Sequence, residues 1–189
     1  MIKMRVFIIG FEGVERGILE LIQRGVEEVL GGGTCRVLDG VLRIPDEAYN
    51  RIRRQYASEL LLEVTSEYIM ESGRKDYILL GVTDVDIYAP GMNYIFGLAH
   101  CSGRTAVISL FRLRPEFYGE SSNRNLFLER AVKEAIHEIG HALGLKHCKN
   151  EFCVMYFSLH IGMTDRKSKF FCEGCLRKIK HIFRDNCIY

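Results

Sequence analysis

The twelve residues HEIGHALGLKHC, His137 to Cys148, constrain this chain of 189 residues more than any other stretch. His137 and His141 stand four apart. On a helix that spacing separates two side chains by about 40° and one turn, so both imidazoles can reach one ion. Glu138 lies between them and can address a water on that ion. Gly144 can adopt a positive φ and end the helix. His147 then approaches from another direction. Three histidines leave a fourth ligand position open, the pattern of a catalytic zinc. Zinc acidifies its bound water, and Glu138 is the expected general acid/base as that water attacks a carbonyl.

The twelfth residue opens a second pattern. Cys148 and Cys153 form C-x4-C, and Cys172 and Cys175 form C-x2-C. Four thiolates at these spacings read as a closed, structural zinc site. A redox C-x2-C is a rival reading, but no thioredoxin-like strand context surrounds it. Two disulfides are another, and conflict with a reducing compartment. Two zinc ions per chain are therefore expected, one catalytic and one structural. A structural zinc site can supply about 10–16 kcal/mol of apparent binding free energy. Whole-domain stability is only about 5–15 kcal/mol, so such a site can decide whether the C-terminal segment folds. In an extended backbone, neighbouring side chains point to opposite sides, which lets His147 and Cys148 serve different ions.

The motif His137, Glu138, His141, Gly144, His147, followed by Met155, resembles the metzincin signature. The string Cys148-x4-Cys153-x-Met155-x16-Cys172-x2-Cys175 resembles the archaemetzincin branch in particular. The resemblance implies a zinc-dependent metallopeptidase with a cleft between two subdomains and Met155 beneath the catalytic histidines. It implies a rim strand, placed around Phe96–Ala99, that binds extended substrate by strand addition. It also brings in aminopeptidase-like action, described for some members. Some metzincins carry a tyrosine two residues after the methionine. Phe157 stands there in this chain, so Tyr156 inherits no such role.

The remaining chain reads as β-α-β-α-β, then a hairpin, then the histidine helix. Extended runs are expected at Met4–Gly10, Thr34–Leu38, Val41–Ile44 and Tyr77–Thr83. Tyr94–Cys101 and Thr105–Leu110 form the hairpin. Helices are expected at Val14–Leu30, at Glu47–Ser72 behind an Asp46 cap and ended by Gly73, at about Arg124–Leu143, and at Glu173–Arg184. The fold class is α/β (α+β): a metzincin-like N-terminal subdomain, residues 1–144, with a mixed, mostly parallel twisted sheet and long helices. Residues 145–189 form a small zinc-stapled C-terminal subdomain carrying the Met-turn.

Composition excludes rather than identifies. Net charge is +2, too balanced to imply a nucleic-acid or membrane partner. No run approaches a membrane span, and no secretion signal is visible, which suggests a cytoplasmic chain. A peptide or protein substrate and a monomeric state are expected. The basic residues Arg166, Lys167, Lys169, Arg177, Lys178, Lys180 and Arg184 read as a solvated face, with nucleic-acid binding disfavoured. His100, His160 and His181 lack ligand spacing. Cys35 and Cys101 read as buried thiols, Cys187 as a free one, and Asp84 and Asp86 as turn residues. Two other functions compete. CEGCL at 172–176 resembles the cysteine motif of peptide deformylases, which would make the chain a different zinc amidase, but there that motif precedes HExxH. A zinc-stabilised binding module with a vestigial catalytic site would not require Glu138.

Overall fold

The runs RVFIIGF and YILLGVT are apolar on both faces, and both become central parallel strands, β1 (Arg5–Phe11) and β5 (Tyr77–Thr83). The computed structural model describes residues 5–71, 77–101 and 103–185. β1 is followed by α1 (Arg16–Leu30) and β2 (Cys35–Leu42). A 3-10 turn, Asp46–Ala48, leads to β3 (Tyr49–Asn50), β4 (Gln55–Ala57) and α2 (Ser58–Glu71). β5 is followed by β6 (Ile87–Tyr88), β7 (Gly97–Ala99) and β8 (Thr105–Ser109). Two 3-10 turns lead to α3 (Arg124–Ala142), then α4 (Ile161–Arg166) and α5 (Glu173–Asp185).

The main sheet has the order β2-β1-β5-β8-β7. Every pairing is parallel except β7 against β8 at one edge. Side-chain alternation divides the core. Val6, Ile8, Ile78 and Leu80 face α1 and α3, where Ile22, Val26, Ala131 and Ile139 cover them. Phe7, Ile9, Leu79 and Val107 face α2, where Leu61 and Leu62 cover them. Each such buried Leu, Ile or Phe contributes about 1.5–3 kcal/mol, so both faces drive the three-layer stack.

The expected helix from Glu47 to Ser72 is two things. Asp46 opens only a 3-10 turn, and the helix begins at Ser58. Between them lie two strands of a three-stranded sheet, in which Tyr56 pairs with Ile87 and Ala57 with Tyr88. Gln55 fastens it through its side-chain amide, which donates to Asp86 Oδ2 at 3.1 Å and to the Asn93 carbonyl at 3.0 Å. Partners some thirty residues away are invisible to local periodicity. Arg54 turns the chain at φ 56°. The two extended pieces expected at 34–38 and 41–44 are one strand, with a register shift opposite Ile8 to Gly10. Of Tyr94–Cys101 only Gly97–Ala99 pairs as strand. Met4, Ser72, Gly73 and Cys187 lie outside the described residues.

Candidate functional site

Helix α3 carries the histidine motif. Asn123 caps it, its side-chain oxygen accepting from the Leu126 N–H at 3.1 Å. At the far end the Gly144 N–H donates to the His141 carbonyl and the Leu145 N–H to the Gly140 carbonyl, at 2.8 and 2.9 Å. Gly144 has φ 95°. This paired closure needs the left-handed conformation that glycine adopts without strain, as its place in the motif predicts. The turn also brings the Leu145 carbonyl back over the helix, where it accepts from His141 Nδ1 at 2.7 Å. His137 Nδ1 donates to the Val154 carbonyl at 2.7 Å. Each imidazole thus holds its proton on Nδ1 and presents a bare Nε2.

These nitrogens converge. His141 Nε2 lies 3.1 Å from His137 Nε2 and 3.1 Å from His147 Nε2. Three nitrogens about 2.0–2.1 Å from one tetrahedral ion would stand about 3.3–3.4 Å apart, so the donor set fits a zinc-sized ion closely. Burial lowers the pKa of all three rings, that of His137 well below the ordinary value, and the charge of Lys167 adds to the effect at each. The rings are therefore neutral, as metal ligands must be. Glu138 is buried beside them. Burial, reinforced by Glu134, pushes its carboxyl well above the ordinary range.

Met155 is wholly buried, with its sulfur against the Cα face of Gly140, where any Cβ would collide with it. It therefore supports the turn of α3 that carries both histidines. The Phe157 ring packs on His147 with centroids 4.7 Å apart. Among the cysteines, the Sγ atoms of Cys148 and Cys172 are 3.8 Å apart, as are those of Cys153 and Cys175, and all four lie within 4.8 Å of one another. Thiolates about 2.3 Å from a tetrahedral zinc stand about 3.8 Å apart, whereas a disulfide needs about 2.05 Å. The quartet could hold a metal and is not disulfide-bonded. Backbone N–H groups of Asn150 and Cys172 point at Cys148 Sγ and Cys153 Sγ. At Cys172, burial works to raise the pKa, but hydrogen bonds from Cys175 and the neighbouring thiols outweigh it and bring it down to about 7.

A charged network around α3 was not foreseen. Lys167, read from sequence as part of a solvated basic face, is completely buried. Its Nζ lies 2.9 Å from Glu134 Oε1, to which Thr164 also donates at 3.1 Å. Arg130, 2% exposed, forms a two-pronged pair with Asp165 at 2.6 and 2.7 Å. Lys133 donates to the Asp165 carbonyl. The sequence signal was helical spacing: Arg130, Lys133 and Glu134 precede His137 by seven, four and three residues. The helix consequently buries nearly its whole circumference, not only its apolar stripe. Asp84 and Asp86 are not turn residues either. They pair with Arg114 and Arg112, bracing the loop beyond β8. Cys35 is buried as expected, but Cys101 is exposed because the strand stops before it. His100, His160 and His181 are exposed.

The histidines, Glu138 and Phe157 line one wall of a cleft of about 350 Å³. Residues 95–99 line the other. The carbonyl of Phe96 and the N–H of His100 bond to β8. Strand alternation then turns the amides of Gly97 and Ala99 to the open edge.

The chain is similar to known proteins over most of its length. The sequence profile of peptidase family M54 matches residues 1–181. The archaemetzincin of Methanocaldococcus jannaschii is 44% identical over 177 residues, covering 94% of this chain and 93% of its own. That of Pyrococcus abyssi is 53% identical over 136 residues, 70% of each chain. The crystal structure of archaemetzincin from Methanopyrus kandleri is 35% identical with a TM-score of 0.80, covering 96% of both chains. Zinc metallopeptidase is the class to which these matches assign the chain. Within that class, it belongs to peptidase family M54, and its relatives are archaemetzincins. Peptidase membership sets aside the deformylase-like alternative.

Proposed function

We propose that this chain hydrolyses peptide bonds at a zinc held by His137, His141 and His147, with Glu138 as general acid/base. The observation that carries this is the convergence of three imidazoles, with the His141 Nε2 3.1 Å from those of His137 and His147, in the cleft that Glu138 also lines. Zinc there would supply Lewis acidity, lowering the pKa of a water and polarising a carbonyl. The Glu138 carboxylate, destabilised as an anion by its burial, takes the proton of the attacking water and passes it to the leaving amine. The open-edge amides of Gly97 and Ala99 pair an extended substrate backbone beside it.

A second zinc, on Cys148, Cys153, Cys172 and Cys175, is structural in this reading, and the count is two per chain. We divide the chain at Gly144 accordingly, with 1–144 carrying the sheet and 145–189 the Met-turn and the cysteines. Thiols gathered for a metal, not joined in disulfides, suit a reducing compartment and hence the cytoplasm. Among the described residues, no helix is long and apolar enough to cross a membrane. A monomer is the state we assign to the chain. The Tyr94 hydroxyl donates to the Leu159 carbonyl at 3.1 Å, and both residues line the cleft. A bridge between the walls favours trimming of chain ends, as in an aminopeptidase, over cleavage within a chain.

The test is digestion of a peptide library by protein of measured zinc content, comparing the parent with Glu138→Ala. The variant should keep two zinc ions and lose turnover by about 10²–10⁴-fold. Equal cleavage by both would sink the mechanism. A zinc content near one would overturn the two-site reading.

A further inference from the structure

We infer that Gly97, the first residue of β7, is a positioning residue for the base: the absence of its side chain sets where the Glu138 carboxylate stands. The inference rests on Glu138 being the base, as proposed above.

A buried carboxylate is ordinarily fixed by hydrogen bonds. Among the described residues, Glu138 has no hydrogen-bond or ion-pair partner. Its side chain packs closely against Gly97. A Cβ built on Gly97 would lie 2.6 Å from Glu138 Cγ, 2.8 Å from Oε1 and 2.9 Å from Cδ. Real Cβ contacts essentially never fall below 3.0 Å. The hydrogen that glycine carries in place of Cβ therefore points straight at the carboxylate.

The backbone does not itself demand glycine here. Gly97 is absent from the positive-φ glycines, and it pairs with Ile108 in a regular antiparallel register. Any L-residue could adopt its conformation. What a side chain meets first is Glu138, to which all three nearest atoms belong. Phe96 packs into the core beside it, and Ser109 donates to the Phe96 carbonyl at 2.8 Å, so the strand is anchored immediately before Gly97. The added methyl would meet a fixed strand on one side and a buried carboxylate on the other. The carboxylate is the part free to rotate away. Displacing a reacting group by about 1 Å can cost about 10²-fold in rate.

The geometry gives Gly97 two functions in one residue. Its outward amide faces the position of the substrate backbone, and its bare Cα face seats the base that acts on that backbone. Base and substrate would thereby be registered against the same residue.

Gly97→Ala should keep the zinc content of the parent while kcat on the best-cleaved library peptide falls by about 100-fold. KM should change far less than kcat. Gly97→Ala is also compared with the parent in a Glu138→Ala background, where the colliding side chain is gone. There the added methyl should leave Tm unchanged, and the double variant should fold even if the single one does not. A parental kcat in Gly97→Ala overturns the inference. So does an equal fall in Tm in both backgrounds, or failure of the double variant to fold, because the methyl would then disturb the strand and not the base. If Glu138→Ala itself stays active, the base assignment fails instead, and the two failures are told apart.

Discussion

The backbone N–H of Cys148 donates to the carbonyl of Met155 at 2.9 Å, and Cys148 bridges Tyr156 in parallel register. The first cysteine is thus tied to the methionine under the histidine helix, while its preceding residue, His147, supplies the third nitrogen. Loss of this cysteine should reach both proposed metal sites. Cys148→Ser should bind fewer than half the zinc ions of the parent and lose peptidase activity with them. Elemental analysis beside an activity assay checks this. A variant with a fully loaded, active histidine site would show that the two sites are independent.

The Lys167–Glu134 pair should be expensive to break singly. Lys167→Met leaves Glu134 buried without its cation, a change that costs about 3–5 kcal/mol. Adding Glu134→Gln should restore much of the loss, because no uncompensated charge remains. Urea unfolding of the two variants reads the difference, and equal destabilisation by both would contradict it.

In the metal-free protein, pH should act through groups of opposite shift. Glu138 has a raised pKa in the folded state, so the unfolded chain releases its proton first as pH rises. Stability is greatest below the ordinary glutamate value and is lost as pH climbs towards the folded one. Metal-free Glu138→Gln should therefore melt above the metal-free parent at pH 7, and the gap should close near pH 4. The histidines are shifted downward, so below about pH 6.5 the unfolded chain takes up protons that the folded chain refuses. Triple substitution of the histidines by glutamine should flatten that acid limb. Thermal melts across this range would decide both.

Gly140→Ala places a methyl against the Met155 sulfur. Overpacking of this kind costs about 1–3 kcal/mol. Met155→Ala in the same chain should relieve part of it, giving a coupling in a double-mutant cycle. Additive losses would mean that the sulfur does not support this turn.

What the sequence disclosed was whatever is encoded by spacing. His137, His141 and His147, the cap at Gly144, the four cysteines and the runs of β1 and β5 all follow from positions close in the chain. What it hid depends on partners far apart. Lys167 looked like one more solvated cation because Glu134, which buries it, lies thirty-three residues earlier. The strand at 55–57 looked helical because one of its partners is Ile87–Tyr88. Gly97 had no signal of its own, since only the fold brings Glu138 against it.

One consequence concerns how such a site can drift. Both helix histidines are oriented by main-chain carbonyls, those of Val154 and Leu145. A carbonyl is supplied by every amino acid. Residues 145 and 154 can exchange one apolar side chain for another without altering which nitrogen carries the proton. The tautomers are written into the path of the chain, and substitution around them can retune the cleft while the imidazoles keep their aim.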